Sequence, residues 1–222
     1  MDTFTKFIWI FYLKFKSDVE PIFLQFQKYV ERHFDLKIKA IQTNWGGEYR
    51  SLYNYFKSCG IQHRISCPYT HEQMGSVERR HRQIVEMGLT LLAHSNLPQP
   101  YWEDTFLTAT YLINRLPSKV INNKSPFEMA YNKKPNYLFL RVFGCACWPN
   151  LRPYNKHKID FHSKTCIFLG YSLSHKGYKC LDLASGKLYV YHHVIFYESL
   201  FPYQKDPSTS TLSTQDSHLP PP

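Results

Sequence analysis

Leu36-Lys-Ile38-Lys-Ala40 alternates apolar with charged or small residues and runs into Gln42-Thr-Asn-Trp-Gly-Gly-Glu-Tyr49. That reads as a strand ending near Gln42–Asn44 and broken by Gly46-Gly47, whose main role is backbone geometry after the strand. A helix is expected over Leu52–Ser58, closed at Gly60, and a short strand over Ile61–Ser66. Strand, helix, strand in so few residues is the start of an α/β layer. In such layers chemistry gathers where strands end and helices begin.

Upstream, Phe4–Phe15 is dense in Phe, Ile, Trp and Tyr and reads as one or two buried strands. Ser17-Asp-Val-Glu20 has the pattern of a capping box, and Val19, Ile22, Phe23, Phe26 and Val30 follow at helical spacing, so a helix is expected over Asp18–Phe34. Downstream, Pro68–Ser76 reads as a polar loop. From Val77 an amphipathic helix carries Ile84, Met87, Leu91 and Leu92, with Arg79, Arg80, His81 and Arg82 crowded into its first turn. Trp102, Phe106, Ala109, Leu112 and Ile113 mark another helix, and Ser125-Pro-Phe-Glu128 starts a short one.

Past Arg141 the texture changes. Thr165–Tyr171, Gly177–Leu183 and Lys187–Phe196 are short strands split by turn clusters, the pattern of a small all-β module. Gln204–Pro222 is rich in Ser, Thr and Pro and is expected to be a disordered tail.

The chain has 222 residues, 43% of them hydrophobic and 17% aromatic, which excludes global disorder. The longest apolar run, Phe7–Leu13, is far short of the roughly 20 residues that span a bilayer, so no membrane partner is expected. No signal peptide is read at the N-terminus, which points to an intracellular rather than secreted protein with six reduced thiols. Cys145-x-Cys147 and His192-His193 are the sole candidate zinc-ligand pairs, against the plainer reading of buried thiols and solvated imidazoles. The net charge is +10. Residues 141–205 hold nine Lys or Arg against three acids, about twice the basic surplus per residue of what precedes them. A basic surface interleaved with aromatics points to a polyanion, most economically nucleic acid, against an ordinary solubilising surface.

The motifs Asn44-Trp-Gly-Gly-Glu-Tyr49, Gly60-Ile-Gln-His63, Ser66-Cys-Pro-Tyr-Thr70 and Gly75-Ser-Val-Glu-Arg79 resemble the integrase region of copia-type LTR retrotransposon Pol polyproteins. The resemblance continues through Ser125-Pro-Phe-Glu128, Phe143-Gly-Cys145, Cys166-Ile-Phe-Leu-Gly-Tyr171 and Lys176-Gly-Tyr-Lys179. It implies an α/β fold: a partial RNase H-like integrase core over 1–135, an SH3-like β domain over 141–203 and a tail over 204–222.

The resemblance also implies a reaction. The family joins DNA with Mg²⁺ or Mn²⁺ held by two Asp and one Glu, because two metal ions about 3.5–4 Å apart must bridge the attacking oxygen and the scissile phosphate. Carried onto this chain, the third acid is Glu78. The second falls on Asn44, where the family has Asp, and the strand bearing the first acid is expected upstream of Met1. A unit-charge pair 4 Å apart is worth about 4 kcal/mol at an effective dielectric of 20, and a divalent ion roughly doubles it. Losing one such ligand cuts metal occupancy by orders of magnitude, so this chain is expected to be catalytically defective and metal binding doubtful.

Glu48 and Asp2 are the alternative acids should the chain be active. Glu78 has a plainer reading as an i,i+4 partner of Arg82. Nucleic-acid contacts are expected at Arg79, Arg80, His81, Arg82, Lys176 and Lys179, with retroelement ends and host DNA as partners and a homo-oligomer as a possible state. The alternative is a non-enzymatic nucleic-acid or protein interaction module.

Overall fold

The computed structural model describes residues 1–67, 71–152, 163–172 and 174–204. The chain divides into two compact units, Met1–Ile84 and Val85–Pro222. This division falls inside a helix, whereas the expected domain limits follow sequence texture. No helix among the described residues is long and apolar enough to cross a membrane.

In the first unit, helix α1 (Val19–Phe34) leads to strand β1 (Ala40–Thr43), short helices α2 (Gly47–Arg50) and α3 (Tyr53–Ser58), and strand β2 (Gln62–Ile65). β1 and β2 pair in parallel, with Thr43 opposite Ile65. Leu52, Phe56 and Ile61 are buried beneath Val19, Phe23 and Ile41 and form the core. Each such side chain stabilises by about 1.5–3 kcal/mol.

The structure corrects three expectations in this unit. The Phe4–Phe15 stretch forms no strand; it opens with a turn closed by Asp2 N–H to Phe7 O and Lys6 N–H to Asp2 O. Its rings pack on α1 instead, Trp9 at 5.3 Å from Phe26 and Phe11 at 5.5 Å. Strand β1 begins at Ala40 rather than Leu36, because Glu31 of α1 takes the Ile38 N–H at 2.9 Å and leaves Leu36 exposed on a connector. The Ser17 capping box is absent; Asp18 accepts the Phe15 N–H at 3.0 Å.

Helix α4 (Gly75–Ser95) starts two residues before the expected Val77 and follows a 3₁₀ turn over His71–Met74. In the second unit α5 (Trp102–Ile113) precedes α6 (Pro126–Tyr131), where Ser125 caps the Glu128 N–H at 3.0 Å and Pro126 occupies the first turn. Five strands follow: β3 (Ala146–Pro149), β4 (Cys166–Tyr171), β5 (Tyr178–Asp182), β6 (Leu188–Tyr191) and β7 (Val194–Tyr197). They form one antiparallel sheet in the order β6-β5-β4-β3-β7.

β3 has no counterpart among the expected strands, and the expected strand Lys187–Phe196 breaks at His192-His193. That break moves the chain from one sheet edge to the other. A link of two residues spans at most about 11 Å. Five flat strands would put the edges roughly 19 Å apart. The sheet is therefore curled like a small barrel.

β4 is the centre of this unit. All six of its residues are buried, as a continuous apolar run requires. Cys166 and Phe168 face a core with Cys145, Cys147, Tyr178 and Cys180. Ile167 and Leu169 face the other side, packed with Leu97, Phe143, Leu181 and the end of α4 through Leu91 and Leu92. α5 comes so close that a Cβ on Gly170 would sit 2.1 Å from Thr108 Oγ1. The expected tail, apart from Gln204, lies outside the described residues; the Gln204 amide donates to His94 O at 3.3 Å.

Candidate functional site

Asn44 follows the carboxyl end of β1, beside the parallel neighbour β2, where α/β layers place their sites. The backbone there is set by local chemistry. Trp45 takes a left-handed conformation, φ 60°. Its N–H donates to Thr43 Oγ1 at 3.3 Å, and Asn44 Oδ1 accepts the Gly46 N–H at 3.2 Å. Thr43 Oγ1 also meets His63 Nε2 at 2.8 Å, so β2 supports the turn from below. His63 is partly buried against Trp45 and Phe56; burial holds its pKa below the ordinary 6.5, and Nδ1 has no hydrogen-bond partner among the described residues.

Glu78 stands exposed in the first turn of α4. Two hydrogen bonds tie the approach to that helix back to the strands. Gln42 Nε2 donates to Gln73 O at 3.1 Å, and the Cys67 N–H donates to Gln73 Oε1 at 2.9 Å. Among the described residues Glu78 forms no ion pair with Arg82; the three ion pairs lie elsewhere.

The alternative acids are engaged differently. Asp2 accepts from the Thr5 N–H and hydroxyl within its own turn. Glu48 lines an open cleft of about 530 Å³ with Lys16, Ser17, Glu20 and Ser51.

A pair of divalent ions needs several hard anionic oxygens. Asn44 and Glu78 offer one carboxylate and one amide oxygen, and that amide oxygen already accepts a backbone N–H. Among the described residues no three His, Cys, Asp or Glu side chains gather to hold a metal. The donor set among the described residues does not fit two metal ions. Cys145 and Cys147 are both buried in the β core, and among the described residues no metal-holding group of three ligands forms around them.

The basic candidates separate. Arg79, His81 and Arg82 are exposed on α4, and Arg80 donates to Gln83 Oε1 at 2.7 Å. Lys176 is exposed beside a cavity of about 210 Å³ lined by His175, Tyr191 and His192. Lys179 is not free on a turn: its ammonium pairs with Asp104 of α5 at 2.8 Å. Sequence reasoning reaches neither that pair nor the Thr43–His63 contact. Asp104 and Lys179 are 75 residues apart, and no local pattern links them.

Residues 145–210 match the family model described as a retroviral polymerase SH3-like domain. The curled sheet thus defines a β module of the retroviral polymerase kind, preceded by an α/β layer. The rest of the chain agrees. It is 47% identical over 203 residues to the retrovirus-related Pol polyprotein from transposon RE1 of Arabidopsis thaliana, covering 91% of this chain and 14% of that one. It is 35% identical over 201 residues to the corresponding polyprotein from transposon TNT 1-94 of Nicotiana tabacum, covering 90% and 15%.

The chain corresponds to an integrase region of a copia-type Pol polyprotein and spans about 14–15% of the length of these curated relatives. The simian T-cell lymphotropic virus intasome, solved with PP2A regulatory subunit B56 gamma, resembles the chain with a TM-score of 0.42 and 14% identity. That match covers 81% of this chain and 63% of that one, a likeness too slight to carry an argument.

Proposed function

We propose that this chain is a catalytically defective integrase region that retains nucleic-acid binding. The observation behind the reading is the turn after β1. Asn44 stands where the family has Asp, and its Oδ1 already accepts the Gly46 N–H. Glu78 keeps a carboxylate where the family has its Glu, whereas Asn44 does not keep one where the family has Asp. Binding to retroelement ends or host DNA depends on Lys and Arg rather than on carboxylates and survives that loss. Arg79, His81 and Arg82 on α4 and Lys176 near β5 are exposed for phosphate contact. The reading carries with it a nuclear or cytoplasmic location, Mg²⁺ or Mn²⁺ as the weakly held family cofactor, and a homo-oligomer as the working form.

The test is a nicking and strand-transfer assay with the 222-residue chain in Mg²⁺ or Mn²⁺. No turnover is expected, together with binding to duplex DNA that weakens as salt rises. Strand transfer by the parent chain, abolished by Glu78→Gln, would overturn the defective reading. Absence of DNA binding at low salt would overturn the binding reading.

A further inference from the structure

The three ion pairs among the described residues quench basic groups of the β module: Arg141 with Glu198, Lys164 with Asp182 and Lys179 with Asp104. The segment between α5 and β3 is not quenched in this way. Residues 114–140 hold five Lys or Arg and a single acid, Glu128. Lys119, Lys124, Lys133 and Lys134 are all exposed, and none of them is in those ion pairs. Asp104 and Glu103 sit at the start of α5, about 16 Å along its axis from Arg115. That exceeds a Debye length of roughly 8 Å at physiological salt, and Asp104 is already paired with Lys179.

The segment is folded rather than loose. The Phe127 N–H donates to Asn114 O at 2.7 Å, and the Tyr137 hydroxyl donates to Arg115 O at 2.9 Å. Arg115 itself is the hub. Its guanidinium lies 3.3 Å from the Tyr111 ring centroid and 4.7 Å from that of Phe127, and it donates to Tyr111 O. A backbone bridge between Ser118 and Lys124 closes the loop that presents Lys119 and Lys124. Lys133 and Lys134 follow the left-handed Asn132 that ends α6. The two lysine pairs are thus spaced along α6 by on the order of 10 Å. Exposed Asn122, Asn123 and Asn132 stand among them as neutral donors.

We infer that the 114–134 segment, through Lys119, Lys124, Lys133 and Lys134, is a phosphate-backbone binding surface for nucleic acid. A small anion cannot meet two lysine pairs so far apart. A strand with a phosphate every ~3.4 Å of axis meets both, and asparagine amides among lysines are the donor mix used on phosphates. The inference rests on the DNA-binding reading and adds the place where the duplex lies.

The test is duplex-DNA binding by the full chain over a salt series. The parent is compared with Lys119→Gln/Lys124→Gln/Lys133→Gln/Lys134→Gln and with a control neutralising exposed Lys28, Lys37, Lys39 and Lys57. The loop variant is expected to flatten the log-affinity against log-salt slope by about 3 to 4, at roughly 0.9 for each phosphate that a lysine no longer neutralises. The control should change it by less than about 1, the share of a single phosphate. Equal flattening in both variants would reduce the effect to net charge and overturn the inference. An unchanged slope in the loop variant, with the parent still binding DNA, would overturn it while leaving the proposed function standing. So would loss of binding to phosphatidylserine vesicles with DNA binding intact, which would give the loop to a membrane surface. No DNA binding by the parent would remove both readings together.

Discussion

Lys179 Nζ on β5 lies 2.8 Å from Asp104 Oδ1 on α5, with the two side chains 19% and 22% exposed. The pair crosses the seam where α5 covers the sheet, so a residue that looks like a phosphate contact works as a clamp. Replacing one partner, Asp104→Ala or Lys179→Gln, is expected to destabilise the chain by about 1–3 kcal/mol. That is below the roughly 3–5 kcal/mol of a fully buried pair, because partial exposure screens it. Urea denaturation measures the loss. The double substitution Asp104→Leu/Lys179→Met should recover most of it, and DNA affinity should move little in either case.

Gly170 sits at φ +97° with Thr108 against it. Gly170→Ala is expected to cost about 3 kcal/mol, part from the clash and part from the left-handed backbone. Adding Thr108→Ala removes the hydroxyl that collides and should return the steric share. A thermal melt in which the double variant is no better than the single would show that close approach of α5 is not what demands the glycine.

The thiols should divide by location. Cys59 and Cys67 are exposed, whereas Cys145, Cys147, Cys166 and Cys180 are buried. Burial pushes the Cys145 and Cys166 thiols up to about 12, and the adjacent Cys180 thiol, together with burial, raises Cys147. Since the thiolate is the nucleophile, a disulfide reagent at about pH 8 should modify two thiols promptly in the native chain and the other four after denaturation. Rapid native modification of more than two would mean that the β core opens.

His63 makes stability depend on pH. Burial lowers its folded pKa, so the unfolded chain takes up the proton first. The stability tied to neutral His63 is complete above the ordinary 6.5 and is lost as pH falls through that value towards the folded one. The melting temperature of the parent should therefore drop between about pH 7 and 5 more steeply than that of His63→Gln. Parallel curves would remove His63 from the acid response.

Much of the architecture is legible in residue order. α1, α5 and α6 announce themselves by helical spacing and by Pro126 after its Ser125 cap. The unbroken apolar run of β4 announces a strand buried on both faces. The site is legible only in part. The positions of Asn44 and Glu78 follow from motif spacing, but the hydrogen bond from Gly46 to Asn44 needs the left-handed Trp45. Phe4–Phe15 misleads because aromatic density signals burial without saying whether rings or a backbone ladder provide it. The break at His192-His193 misleads because nothing local says that a strand must leave one sheet edge for the other.

By itself the sequence determined the kinship with transposon Pol polyproteins, most of the helices, an amide rather than a carboxylate at Asn44 and the basic surplus, since each is a property of residue type and near-neighbour spacing. Tertiary structure alone decided which charges remain available. Lys179 and Asp104 meet only because β5 folds under α5, and Lys119, Lys124, Lys133 and Lys134 stay outside the three ion pairs found among the described residues. Charge interactions act through space over a few ångströms, and only the folded chain sets those distances.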